Sequence, residues 1–215
     1  PYGPKVFAPS ALIYAIEPWP LISSLHEMRK IMTKWVRWYL SKGEKSYVSP
    51  EVLRGIAENF WGSSKAADFS TCEGKALAAV KIQNRQYAKE SLILCDFTWP
   101  IYDDGSSKDH IGDPSIESQM LAAVTGKKED ETELERKAEV IFTLNRAIHL
   151  REGRRGRQDD TLPESQFLER IERIADGFGL NNPELLLPGH GDEVISRKGK
   201  ALDRVKFEQM KDEYY

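Results

Sequence analysis

Signals for helices are dense along this chain and alternating strand patterns are sparse, which confines the fold to packed helices. Ser70-x-x-Glu73 and Thr132-x-x-Glu135 both read as capping boxes, in which hydroxyl and carboxylate each satisfy an orphan amide of a first helical turn. The first predicts a helix running to about Cys95. The second predicts one that ends at Gly153, with Leu134, Ala138, Ile141, Leu144 and Ile148 on one face. Ser23 or Ser24 can cap a helix whose stripe is Leu25, Met28, Met32, Trp35, Val36 and Tyr39, ending near Gly43. Ser49-Pro50 is an N-cap followed by proline at the first helical position. Asp113-Pro114 starts another helix that Gly126 stops. Pro163, Phe167, Leu168, Ile171 and Ile174 outline the next, stopped at Gly177. Asn182-Pro183 opens a short helix that Pro188-Gly189 breaks, and the last begins near Lys200. The expected fold is all-α, an irregular assembly of about seven or eight helices. Extended chain is expected only in KVFAPSALIYAI and between Phe97 and Asp113.

Composition narrows the partners. Forty per cent apolar and 30% charged residues with a net charge of -3 describe a globular protein that lacks the basic excess used on nucleic acid or anionic membranes. No apolar run approaches the roughly 20 residues that span a bilayer, and the start PYGPKVFAPSALIY lacks the order of a signal peptide, so the chain reads as cytoplasmic. The run KKEDETELERK reads as a solvated loop and helix start. The first residue is not Met and the end ALDRVKFEQMKDEYY is helical to its last residues, so the chain is expected to be part of something longer.

Few residues announce chemistry. His26, His110, His149 and His190 show neither i, i+4 pairing nor zinc spacing. GRRGRQDD, Gly153 to Asp160, could form a phosphate nest, but its aspartates favour a solvated helix terminus with internal ion pairs. No nucleophile elbow, Walker loop or dinucleotide fingerprint is present. Two cysteines are too few for a disulfide framework, and Cys72 reads as a small core residue. Cys95 differs in its neighbours, because Glu90 and Ser91 lie five and four residues before it on nearby faces of the last helical turns. A carboxylate there can accept hydrogen bonds from a heterocycle and a thiolate can ligate a soft metal, or the thiol can be plain core.

Three blocks then resemble one family in the family's own order. FSTCEGKALAAVKIQNRQYAKESLILCDF, Phe69 to Phe97, resembles the segment of the tungsten-containing aldehyde ferredoxin oxidoreductases that leads through a helix to Asp-x-x-Gly-x-Cys-x-Phe. ERKAEVIFTLNRAIHLREGRRGRQDDTLPESQF, Glu135 to Phe167, resembles the later block in which Arg-Glu-Gly leads to Asp-Asp-x-Leu-Pro. LDRVKFEQMKDEYY, Leu202 to Tyr215, resembles the closing helix.

The resemblance implies the C-terminal helical part of such an enzyme, with residues 1–68 ending the preceding domain and 69–215 forming the domain that carries the motif. It implies that Cys95 is the fourth ligand of a [4Fe-4S] cluster whose other three cysteines lie elsewhere in the polypeptide. Glu90 takes the place of the motif's aspartate toward a tungsten (or molybdenum) bis-pterin, and Leu94 is a backbone contact beside it. Ile93 stands where the motif has glycine, so the local fit is expected to differ. The family's catalytic histidine falls on Ser23 in an ungapped alignment and on His26 with a loop shift. The implied reaction is aldehyde oxidation with electrons leaving through the cluster to ferredoxin or an electron-transfer subunit, in a protein that could be a homodimer. Two alternatives stand beside it. One is the tungsten subunit of an ATP-independent aromatic acyl-CoA reductase, and the other is a non-catalytic helical scaffold.

Overall fold

The computed structural model describes residues 3–17, 22–95, 101–173 and 182–215, with 22–26 described by backbone alone. Among these residues the chain is mostly helical: α1 (Ala8–Ile16), α2 (Ile22–Leu40), α3 (Pro50–Trp61), α4 (Lys75–Ser91), α5 (Ile116–Thr125), α6 (Glu131–Arg151), α7 (Ser165–Leu168) and α8 (Arg204–Tyr214), with one hairpin of β1 (Leu186–Pro188) and β2 (Val194–Ser196). The all-α expectation holds.

Helix α4 is the hub. Its small residues Ala76, Ala78 and Ala79 are buried together with Ile82, which lets neighbouring helices approach closely, and α1, α2, α3, α6 and α8 all pack on it. The main core joins Leu12, Ile13 and Ile16 of α1 to Met28, Met32 and Trp35 of α2, Leu53, Ile56 and Trp61 of α3, and Phe207 and Met210 of α8. A smaller cluster of Tyr87, Ala88, Leu134 and Ala138 lies between α4 and α6.

Several local expectations fail for identifiable reasons. KVFAPSALIYAI, expected to be extended, forms α1. Its apolar residues are buried on nearly every side, so neither period was visible, and Pro9 occupies a first-turn position where a missing N–H costs nothing. The box at Ser70 does not form: the Ser70 hydroxyl donates to Asp68 Oδ1 at 2.6 Å and the Glu73 amide to Thr71 at 3.2 Å. Helix α4 starts instead after Gly74, whose φ of 75° is left-handed, and ends at Ser91, four residues short of Cys95. Asp130, not Thr132, caps α6 by accepting from the Glu133 amide at 2.9 Å. The last helix starts at Arg204, capped by Asp203.

Asn182-Pro183 opens a turn into β1, not a helix. The Asn182 side chain takes both backbone groups of Leu186, accepting from its amide at 2.9 Å and donating to its carbonyl at 3.1 Å, while Leu185 adopts a φ of 52°. The hairpin pairs Leu187 with Ile195, and the Phe69 amide donates to the Pro188 carbonyl at 2.9 Å, which ties it to the approach to α4. Helix α7 closes at Leu168, so Glu169 to Arg173 are not helical; Ile174 and Gly177 lie outside the described residues. The α6 stripe is also corrected. Leu134 and Ala138 are buried, but Ile141, Leu144 and Ile148 are 40 to 59% exposed. The inward face runs Leu134, Ala138, Phe142 and then Asn145 and Arg146, turning polar where it meets Tyr87 and Asp160.

Candidate cofactor-facing site at the end of α4

Helix α4 ends in a Schellman turn. The Leu94 amide donates to the Lys89 carbonyl at 2.9 Å and the Ile93 amide to the Glu90 carbonyl at 3.1 Å, while Ile93 sits at φ 58°. This left-handed position is usually glycine, because a Cβ there crowds the following carbonyl. Ile93 is 91% exposed, so no packing compensates the strain. The turn carries Cys95 out of the helix, exposed and in no disulfide. The expectation of a different local fit at Ile93 is answered by its backbone: isoleucine occupies the conformation for which glycine is suited.

Glu90 is exposed on the last turn of α4 and its Oε1 accepts from Gln86 Nε2 at 3.1 Å. Leu94 is half-buried. Behind the turn lies a buried charge cluster. Glu27 accepts from Trp61 Nε1 at 3.3 Å and from Arg85 at 3.1 Å, Arg85 also binds Glu117 at 2.8 Å, and the fully buried Lys89 ammonium lies 3.8 Å from Glu27. Two cations and two carboxylates balance within one small volume, which fixes α4 against α2 and α5.

A second polar group sits between α1, α4 and α6. Glu17, at the end of α1, is 9% exposed and its Oε2 accepts from the Tyr87 hydroxyl at 3.1 Å; Tyr87 in turn accepts from Asn145 at 3.0 Å. Burial, helped by the Glu90 charge, pushes the Glu17 carboxyl up to about 8. Below it Asp160 is fully buried, and it accepts two bonds from Arg146, at 2.9 and 2.7 Å, as well as bonds from Arg154 and the Tyr215 hydroxyl, which hold its carboxyl below the usual range. The GRRGRQDD stretch thus contains the expected ion pairs: Arg155 with Asp159 is solvated, whereas Arg154 with Asp160 is buried, and Arg157 reaches outside the stretch to an exposed pair with Asp212. Sequence reasoning missed Glu17, Tyr87 and Asn145, because only tertiary packing brings positions so far apart in the chain together.

Other expected positions fall elsewhere. Cys72 is half-buried against the main core, as expected of a small core residue, and burial raises its thiol. It borders a cleft with Lys75, whose ammonium donates to the carbonyls of Lys65, Asp68 and Glu73. His110 stacks on Tyr47 with ring centroids 4.5 Å apart, and His190 is exposed beside Asp68. The side chains of Ser23 and His26 lie outside the described residues.

The family model for aldehyde ferredoxin oxidoreductase, domains 2 & 3, matches residues 26–215, and the chain belongs to that family. No solved structure matches the chain. The family uses a pterin-bound metal and an iron–sulfur cluster. Among the described residues no group of three or more ligating side chains comes together, so these residues do not by themselves hold a cluster. What the turn offers fits a share of one: a single exposed thiol on a backbone held by two hydrogen bonds, with an exposed carboxylate one turn earlier. No described helix is long and apolar enough to cross a membrane.

Proposed function

We propose that this chain is the C-terminal part of a cytoplasmic tungsten-pterin, iron–sulfur oxidoreductase that oxidises aldehydes and passes the electrons to ferredoxin. The observation that carries this reading is the left-handed Ile93. The family motif has glycine there, and this chain keeps the glycine-type backbone although isoleucine makes it unfavourable. Strain retained at an exposed turn argues that the direction in which Cys95 leaves the helix matters.

In this reading Cys95 supplies one thiolate to the cluster, and the remaining ligands come from other parts of the polypeptide. Glu90, oriented by Gln86, accepts hydrogen bonds from the amino edge of the pterin, and the backbone at Leu94 packs beside it. His26 is the candidate for the family's catalytic histidine. The bound cofactors supply the oxidation chemistry and the electron path. The buried pairs of Glu27, Arg85, Glu117 and Lys89 keep α4 rigid, so that Glu90 and Cys95 present a fixed spacing.

The test uses the full-length protein, purified without oxygen. Cys95→Ala is expected to lose cluster iron and its EPR signal, whereas Cys72→Ala keeps both. Glu90→Ala is expected to lower tungsten content with the cluster retained. Unchanged iron and EPR in Cys95→Ala would overturn the ligand assignment.

A further inference from the structure

The cleft that Cys72 and Lys75 border has a volume of about 70 Å³, and its lining is out of balance in charge. Lys5, Lys75, Arg197 and Lys206 all line it, against a single lining carboxylate, Asp203. That carboxylate is engaged as the cap of α8, where it accepts from the Lys206 amide at 3.1 Å. Glu169 lies 3.8 Å from Lys5 in a loose, exposed pair. Asp68, Glu73 and Glu213 act on the group from outside the lining, and the first two have partners of their own in Ser70 and Lys65. Like charges gathered in a half-enclosed space repel one another unless an anion enters.

The donors are held in place. Arg197 follows directly after β2, and its guanidinium is fixed by two carbonyls, Nε donating to Lys5 at 3.1 Å and Nη2 to Ala201 at 3.0 Å. Among the described residues its Nη1 has no acceptor. The fully buried Lys75 spends its protons on the carbonyls of Lys65, Asp68 and Glu73, so it contributes charge to the cleft and no further bond. Lys206 is exposed and has no carboxylate partner among the described residues. Helix α4 starts here without a side-chain cap, so its free first-turn amides and the positive end of its dipole add to the same field. Burial raises the Cys72 thiol, which therefore brings no countercharge. Since α4 is 17 residues long, the cleft lies about 25 Å from the Cys95 turn at its other end.

We propose that the cleft between the start of α4, Arg197 and Lys206 is a binding site for a tetrahedral oxyanion of the phosphate class. Arg197 donates to it through Nη1, Lys206 closes on it from the solvent side, and Lys5 and Lys75 neutralise its charge. The volume admits one tetrahedral group, supplied either as the free ion or as the end of a phosphomonoester whose remainder lies outside. Occupancy does not depend on whether Cys95 holds a cluster.

The experiment is alkylation of Cys72 by iodoacetamide in the full-length protein, followed by mass spectrometry of the Cys72 peptide. Inorganic phosphate or phenyl phosphate is added at constant ionic strength, with chloride as the control. Phosphate is expected to slow the reaction saturably, because an anion beside the thiol blocks access and disfavours the thiolate. Arg197→Gln is expected to weaken this protection about tenfold or more. Lys206→Gln removes an exposed charge and no side-chain hydrogen bond of the fold, and is expected to weaken it about two- to fivefold. Lys198→Gln, next to Arg197 in the chain but paired with Glu184 at 2.8 Å, is expected to leave it unchanged. Stronger protection by inorganic phosphate supports the free ion as ligand, and stronger protection by phenyl phosphate supports a phosphomonoester. Absence of protection, protection that chloride matches, or protection that Lys206→Gln leaves unaltered overturns the proposal.

Discussion

The amide of Leu94 reaches back 2.9 Å to the carbonyl of Lys89, across a turn in which Ile93 is left-handed. The bond caps α4 and sets the direction of Cys95, so the strain at Ile93 sits between the helix that builds the fold and the residue proposed to work. A β-branched residue there costs about 1 to 2 kcal/mol relative to glycine. Ile93→Gly is therefore expected to raise unfolding stability by about that amount in urea denaturation, with the helical circular dichroism unchanged.

Glu17 makes stability depend on pH in a defined direction. Its carboxyl is raised in the folded state from 4.5 to about 8, so the native state holds a proton that the unfolded chain has lost. The contribution is complete below about pH 4.5 and is lost as pH rises through 8, amounting to at most about 5 kcal/mol across the window. Denaturation midpoints measured from pH 5 to 9 should fall for the parent and lose most of this slope in Glu17→Gln.

Asp160 acts in the opposite sense. Its carboxyl is lowered by Arg146, Tyr215 and Arg154, so its contribution is present above the ordinary carboxylate range and is lost as pH falls through the folded value. Asp160→Asn leaves two half-buried arginines, which keep their bonds to the Ala15 and Ile16 carbonyls, without their countercharge. A loss of about 3 to 5 kcal/mol is expected from chemical denaturation at neutral pH.

Gly112 marks where the loop beyond the described end of α4 is pinned. Its amide donates to the Tyr102 carbonyl at 2.8 Å, and a Cβ at this position would lie 1.5 Å from the Ile101 carbonyl oxygen. Gly112→Ala must move the backbone, so a loss of about 2 kcal/mol or more is expected, read as a lowered melting temperature. Gly126→Ala meets nothing within 4 Å, and its cost is only that of a left-handed alanine at the C-cap of α5.

How much was legible in advance varies from element to element. The stripe from Met28 to Trp35, the Ser49 cap and the Gly126 stop were readable because each depends on residues within a turn or two of one another. The short hairpin carries no such local signal: β1 follows the turn in which Asn182 closes on Leu186, and Phe69, far away in the chain, donates to Pro188. Helix α1 escaped because a segment buried on all sides shows neither helical nor strand periodicity. On α6 the spacing of Ile141, Leu144 and Ile148 was read correctly as a face, but tertiary packing buried a neighbouring face that ends in Asn145 and Arg146.

By itself the sequence determined the helical class and the family, because periodicity and the order of short sequence blocks are local properties of the chain. Only the tertiary structure decided that Ile93 keeps a glycine-type backbone, that Asp160 is buried between two arginines, and that Glu17 lies against Tyr87. Burial and charge proximity depend on residues distant along the chain, and those are the quantities that set protonation and strain.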